Sequence, residues 1–278
     1  MNRRTFLKTL YAAATATTLY GLPKLVHADP PRPSEKDLKD YLHDMANFDM
    51  EHKGDIILKG KQLALLKSTL KKLRKTQRSV GFGNFAIISF DDGLSYARRY
   101  SSIGAFTKDE IEFMDYTFHF DAANYGFFGE RPTSNLTSRV SKKELIKIPR
   151  SGNYLYRGQP HETYKSIKHL LGKKVYLTSG VRGIMKQFIL FYSKAAANKG
   201  NLSLASRSLA PPGYSFHGIG DFDVGETGLG SANFSVSFAK TETCARLRKQ
   251  GYLKLRYPEE NMLGVRYEPW HIKVNEVK

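Results

Sequence analysis

The sequence predicts an α+β fold, and three observations carry that prediction. Apolar residues recur at helical spacing through the first third of the chain. Helix-like and strand-like stretches alternate between residues 161 and 224, and a further strand-like run follows at 264–267. The composition, 41% hydrophobic and 12% aromatic, is that of a chain that buries a core, which excludes a disordered protein. At 278 residues there is room for one large domain or for a domain with a smaller companion.

Taken in order, the first residues read as an address. Asn2-Arg3-Arg4-Thr5-Phe6-Leu7-Lys8 has the form of a twin-arginine export motif, a mildly apolar stretch runs from 10 to 22, and Val26-His27-Ala28 offers a small-x-small cleavage site. Residues 1–28 are therefore expected to be a removable signal peptide. The apolar stretch is too short and too polar for a stable span, which needs about twenty strongly apolar residues. This export route carries proteins already folded, which suits a protein that takes up a cofactor beforehand.

Residues 34–79 read as mainly helical, with Ser34 as a cap and Ile56, Ile57, Leu63, Leu66 and Leu70 on one face. Lys67, Lys71 and Lys72 fall on the other face, which reads as solvated. The run Phe85 to Phe90 reads as a short strand, closed by a turn at Asp91-Asp92-Gly93. Thr107-Lys108-Asp109-Glu110 is a capping box that opens a helix reaching about Phe118. Asp91, Asp92, His119 and Asp121 read as turn and surface residues rather than metal ligands. Residues 29–130 are thus expected to form a mainly helical accessory region, and 131–152 a polar connection.

Beyond it, 161–171 is amphipathic and ends at Gly172, 174–178 is a strand, and 183–197 is a second helix with Phe188, Phe191 and Tyr192 as core candidates. Residues 221–224 and 264–267 complete the strands. Cys244 is the single cysteine, so no internal disulfide and no thiolate metal site can form, and it reads as a small apolar filler. The net charge of +18 favours polyanionic surroundings without choosing among them. Export and the lack of any recognised motif argue against nucleic acid as a partner.

Three clusters carry chemistry: Ser179-Gly180-Val181-Arg182, the stretch from Pro212 to Gly225, and Tyr267-Glu268-Pro269-Trp270-His271. A hydrolytic zinc needs three protein ligands and an open position, together with a group that moves protons. His217, an aspartate, His271 and Glu268 make up such a set. Asp221 and Asp223 lie two apart and share a strand face, so either could serve. Glu268 and His271 are three apart, which a flat strand would place on opposite faces. Pro269 suggests a break that brings both to one centre.

These clusters resemble the VanY-type zinc D-alanyl-D-alanine carboxypeptidases, which show Ser-Gly-x-Arg, Pro-Gly-x-Ser-x-His with a downstream Asp, and Glu-x-x-His, in the order found here across roughly 155–275. The resemblance implies a small antiparallel sheet flanked by helices, in a zinc peptidase domain at 131–278 of the D-Ala-D-Ala carboxypeptidase/Hedgehog-like fold. It implies His217, Asp223 and His271 as ligands of one Zn2+ per chain and Glu268 as catalytic base, with Arg182, Gln187 and Ser215 binding substrate. His217 to Asp223 encloses one residue fewer than is usual in the family, which leaves Asp221 as the fallback ligand. Trp270 is expected to be a wall of the cleft or plain packing.

The activity implied is removal of the terminal D-alanine from peptidoglycan stem peptides in the periplasm, by a protein with no stable membrane span once the signal is removed. Two other readings stand beside it. One is an endopeptidase of the same fold acting on cross-links; the other is a non-catalytic peptidoglycan-binding protein.

Overall fold

The computed structural model describes residues 35–274; the expected signal peptide at 1–28 and the Ser34 cap lie outside the described residues. The chain divides into two compact units, 1–39 and 40–278, and of the first only the opening of helix α1 (Glu35–Ala46) is described.

Helix α2 (Gly60–Val80) turns Leu66, Thr69, Leu70, Leu73, Thr76 and Gln77 inward, the three-and-four spacing of one buried face. Residues 34–79 are mainly helical as expected, but the chain between α1 and α2 is not. Ile56 and Ile57 lie in extended chain, where Ile57 bridges Asn201 and the Leu58 N–H donates to Gly200 O at 3.0 Å. The cause is Asp55, whose carboxylate accepts from Arg207 and Asn201, both at 2.7 Å, and so pins this loop to a distant part of the chain.

The strand expected at 85–90 is also absent. Phe82–Phe85 is a single helical turn, α3, and Ser89 caps α4 (Phe90–Arg99) by accepting from the Asp92 N–H at 3.1 Å. Asp91 and Asp92, taken for a turn, sit in the first turn of α4, where negative charge favours a helix start. Helix α5 (Lys108–His119) opens with the expected capping box, Thr107 and Glu110 each bonding the other's backbone. At the end of the polar connection, β1 (Leu145–Lys147) pairs antiparallel with β2 (Tyr154–Tyr156) just past it, a hairpin the sequence did not signal.

Helix α6 (Gln159–Leu171) leads into β3 (Val175–Ser179), and α7 (Ile184–Ala197) and α8 (Leu202–Ser206) follow. Strand β4 (Phe222–Glu226), helix α9 (Glu242–Lys249) and β5 (His271–Ile272) complete the described elements. The second sheet has the order β3-β4-β5, antiparallel throughout. Residues 264–267, expected as a strand, are bends and irregular chain. The Arg266 N–H donates to Arg207 O and the Glu268 N–H to Tyr257 O, so this backbone pairs with loops and the strand begins only at His271.

Two apolar clusters position the site. One lies under the three-stranded sheet, where Phe222, Val224, Leu177 and Ile272 meet Ile167 and Leu171 of α6 and Cys244 and Leu247 of α9. The other surrounds α7: Phe188, Phe191 and Tyr192 pack with Leu66, Leu70 and Leu73 of α2 and with Phe90, Phe113 and Phe118. Among the described residues no helix is long and apolar enough to cross a membrane.

Candidate metal centre

Side chains alternate along β4, so burying Phe222 and Val224 beneath the sheet sends Asp223 to the opposite face. Register supplies its neighbours: Ser179 on β3 and His271 on β5 both pair with Asp223. His217 comes from the turn of 3-10 helix Phe216–Gly218. Gly220, at φ 136°, then bends the chain into β4, a conformation a side chain would resist.

The three side chains converge. His217 Nε2 and His271 Nδ1 each lie 3.2 Å from Asp223 Oδ1, and the three ligand atoms fall within 4.8 Å of one another. All three residues are at most 2% exposed. Each ring has its other nitrogen engaged, His217 Nδ1 at 2.9 Å from Gly180 O and His271 Nε2 at 2.9 Å from Asp221 Oδ2. Asp221, the fallback ligand, thus lies on the far edge of the His271 ring from the cluster. Asp91, Asp92, His119 and Asp121 form no such group: the His217, Asp223 and His271 set is the only one among the described residues.

Two atoms test whether a metal fits. His217 Nε2 and Asp223 Oδ1 are buried and have no hydrogen-bond partner. A buried unsatisfied polar atom is costly, and a divalent cation satisfies both at once with the N and O donors zinc accepts. Burial, with Arg182 nearby, lowers the His217 pKa to about 4, so its imidazole is neutral and able to donate a lone pair. Burial alone would raise the Asp223 carboxyl, but His217 and Arg182 outweigh it and hold the group ionised, well below the usual range.

Glu268 stands beside this face, with its carboxylate 3.7 Å from His271 Nδ1. Burial raises its pKa to about 7, against the pull of His271. A carboxyl poised there can take up and return a proton near neutrality. The chain breaks at Pro269-Trp270, where the His271 N–H donates back to Glu268 O at 3.2 Å, and that turn brings residues three apart to one centre. Trp270 is buried against Phe234 and Arg266, in a packing role.

Arg182 and Ser215 line the cleft over the cluster with Glu268 and both histidines. Arg182 donates through Nε to Ser179 Oγ at 2.9 Å and through Nη2 to Asp223 Oδ2. Gln187, expected from the resemblance to bind substrate, lies behind the Arg182 loop. It is 3% exposed, and its amide donates to Arg182 O and accepts from the Gly213 N–H. One bond at each end goes to backbone, so it braces the Arg182 loop against the turn before His217.

Sequence reasoning missed three neighbours. Arg256 pairs with Asp221 and lies over the Phe216 ring. Tyr257 packs its ring on His271, and burial raises its hydroxyl far above the usual range. Arg266 lies over Trp270, its own pKa lowered by burial. None belongs to a helix or strand: Arg256 and Tyr257 carried no periodicity, and Arg266 fell in the stretch expected as a strand.

A buried His-Asp-His face with a carboxyl group alongside is the donor set of a mononuclear hydrolytic metal site. Residues 165–275, which contain every one of these donors, match the model of the VanY family, D-alanyl-D-alanine carboxypeptidase. No curated protein matches the chain. Among solved structures it is similar to a mutant of the vancomycin resistance D,D-pentapeptidase VanY in complex with Zn(II), at 22% identity and a TM-score of 0.41 over 54% of this chain and 87% of that one. It is similar also to VanYB in complex with D-alanine-D-alanine, at 21% identity and a TM-score of 0.39 over 54% and 86%. The LdcB LD-carboxypeptidase follows, at 20% and 0.39 over 48% and 69%.

Proposed function

We propose that this protein is a zinc-dependent D,D-carboxypeptidase that removes the terminal D-alanine from peptidoglycan stem peptides, exported to the periplasm by the twin-arginine route. The observation that carries this reading is the pair of unsatisfied buried atoms, His217 Nε2 and Asp223 Oδ1, facing His271 Nδ1 with Glu268 beside them. His217, Asp223 and His271 would hold a zinc ion, and that ion would supply the Lewis acidity that acidifies water and polarises a carbonyl. Glu268 takes the proton of the attacking water and delivers it to the amine as the C–N bond breaks, so the products are the shortened peptide and free D-alanine. Arg182, with Nε and Nη2 already engaged, keeps the two N–H donors of Nη1 for the terminal carboxylate. Ser215 offers a hydroxyl in the same cleft.

The test is hydrolysis by the zinc-loaded protein of a stem pentapeptide, a stem tetrapeptide and a cross-linked dimer. Release of D-alanine from the pentapeptide, abolished by a chelator and restored by zinc, supports the reading. Preference for the tetrapeptide or cleavage of the dimer would replace it with an L,D-carboxypeptidase or an endopeptidase. Binding to peptidoglycan with no cleavage of any of the three would leave a wall-binding protein.

A further inference from the structure

The site holds one carboxylate that the proposed reaction does not use. Asp221 is 2% exposed, and its oxygens gather three partners. Oδ2 is 2.9 Å from His271 Nε2 and accepts from Arg256 Nε, while Oδ1 accepts the Val274 N–H at 3.0 Å, just beyond β5. The Arg256 guanidinium in turn lies 3.3 Å from the ring centroid of Phe216, the residue before His217. One ion pair therefore touches His271 directly and His217 through its neighbour.

We propose that Asp221 and Arg256 are positioning residues that fix the Nε2–H tautomer of His271 and so turn its Nδ1 lone pair toward Asp223 and His217. The inference rests on the metal-centre reading above. A carboxylate behind a ligating imidazole orients the ring and raises its basicity, and losing such a partner weakens metal binding by about 10–100-fold. Arg256 holds Asp221 in place through its Nε and Nη2 donors.

The test measures zinc affinity by chelator competition on purified apoprotein, together with the His271 ring tautomer from nitrogen-15 shifts of the zinc-loaded form. Asp221→Ala and Arg256→Met are expected to weaken zinc by about 10–100-fold and to lose the uniform Nε2–H signature, and Arg256→Lys to recover part of both. Asp223→Ala is the ligand control and is expected to lose zinc altogether. Zinc affinity of Asp221→Ala and Arg256→Met within twofold of the parent, with Asp223→Ala zinc-free, would overturn the positioning role and leave the centre standing. Zinc retained by Asp223→Ala would remove the centre itself. Should Asp221→Ala fail to fold, Arg256→Met, whose side chain keeps the contact with Phe216, decides alone.

A second observation is independent of that site. Helix α2 carries seven basic and no acidic side chains, and Lys67, Lys71, Arg74 and Arg78 form a row beside Leu70 and Ala196 along a groove of about 350 Å³. Lys67, Lys71 and Arg78 make no hydrogen bond or ion pair among the described residues, and Arg74 makes only a 3.4 Å contact with Ser193 Oγ. At 1.5 Å per residue the row is about 16 Å long, and it lies at the end of α7 opposite Arg182 and Gln187. The geometry points to a docking groove for a linear chain of phosphate esters. Four cations in one line beside so little acid match the charge of a linear polyanion.

The probe is poly(glycerol phosphate), titrated at several salt concentrations, with phosphatidylglycerol vesicles as the second arm. The triple variant Lys67→Glu/Lys71→Glu/Arg78→Glu is expected to weaken polymer binding at least about tenfold and to flatten the salt slope by about three. Its hydrolysis of a soluble stem peptide should be unchanged. Lys142→Glu/Lys143→Glu, a reversal elsewhere on the surface, is expected to change little. Equal losses from both variants would reduce the groove to general charge. Vesicle binding that alone depends on the row would make it a membrane-docking face instead.

Discussion

At the scale of single residues, the site is a set of nitrogen and oxygen atoms whose partners have already been chosen. Gly180 O takes one edge of the His217 ring and Asp221 one edge of His271, so the two histidines present different nitrogens, Nε2 and Nδ1, to the same Asp223 oxygen. Glu268 stands outside that triad, and the same burial that lifts its pKa to about 7 keeps it able to move protons at neutral pH. Glu268→Gln retains shape and hydrogen-bonding capacity but cannot accept the proton. It is expected to lower kcat/KM by roughly 10²–10⁴-fold, the usual worth of a general base, with zinc content unchanged. Steady-state kinetics beside metal analysis checks this; a variant that keeps parental activity would remove Glu268 from the reaction.

At the scale of elements, what was legible in the sequence is what is local. The capping box at Thr107 and Glu110 closes within four residues, and the helix it opens stands where expected. Thr107→Ala should cost about 1 kcal/mol in urea unfolding. The pair Asp221 and Asp223 was legible only as a pair. Their parity is shared, and the choice between them is made by the pairing of Asp223 with His271, 48 residues along the chain and invisible to periodicity. Arg256 escaped for the same reason, lying 35 residues from Asp221 in chain without regular structure. Ile56 and Ile57 were misassigned because their spacing was helical, while the anchor that overrides it, Arg207, is 152 residues from Asp55. That anchor has its own consequence. Asp55 would be raised by burial, but the hydrogen bonds from Arg207 and Asn201 win and hold its carboxyl below the ordinary value. A folded pKa below the unfolded one gives stability that is complete above the unfolded carboxylate pKa of about 3.9. That stability drains away as pH falls through the folded value. Asp55→Asn should cost roughly 3–5 kcal/mol at pH 7, because the Arg207 charge stays buried, and the difference from the parent should shrink on acidification. Urea midpoints at neutral and acidic pH measure both; a pH-independent difference would contradict the ion-pair origin.

At the scale of the whole molecule, the motifs fall in the second half of the chain, but the core that holds them does not. Helix α7 begins beside Arg182, and its Phe188, Phe191 and Tyr192 are fully buried against α2, α4 and α5, all of which precede residue 120. Gly264, only four residues before Glu268, sits at φ 71° against the backbone of Gly126, so even the last motif leans on the first half. Each large apolar side chain fully buried contributes roughly 1.5–3 kcal/mol, against a total stability of roughly 5–15 kcal/mol for a domain. Exposing those three rings alone would consume much of it. A fragment of residues 131–278, which contains every proposed ligand and the base, is therefore expected to show no cooperative thermal transition and to bind zinc at least about tenfold more weakly than the full chain, since an unfolded chain holds no preformed site. Calorimetry with and without zinc is the measurement. A fragment that melts cooperatively and is stabilised by zinc as the full chain is would mean that the helices before residue 130 are an addition to the centre rather than part of what builds it.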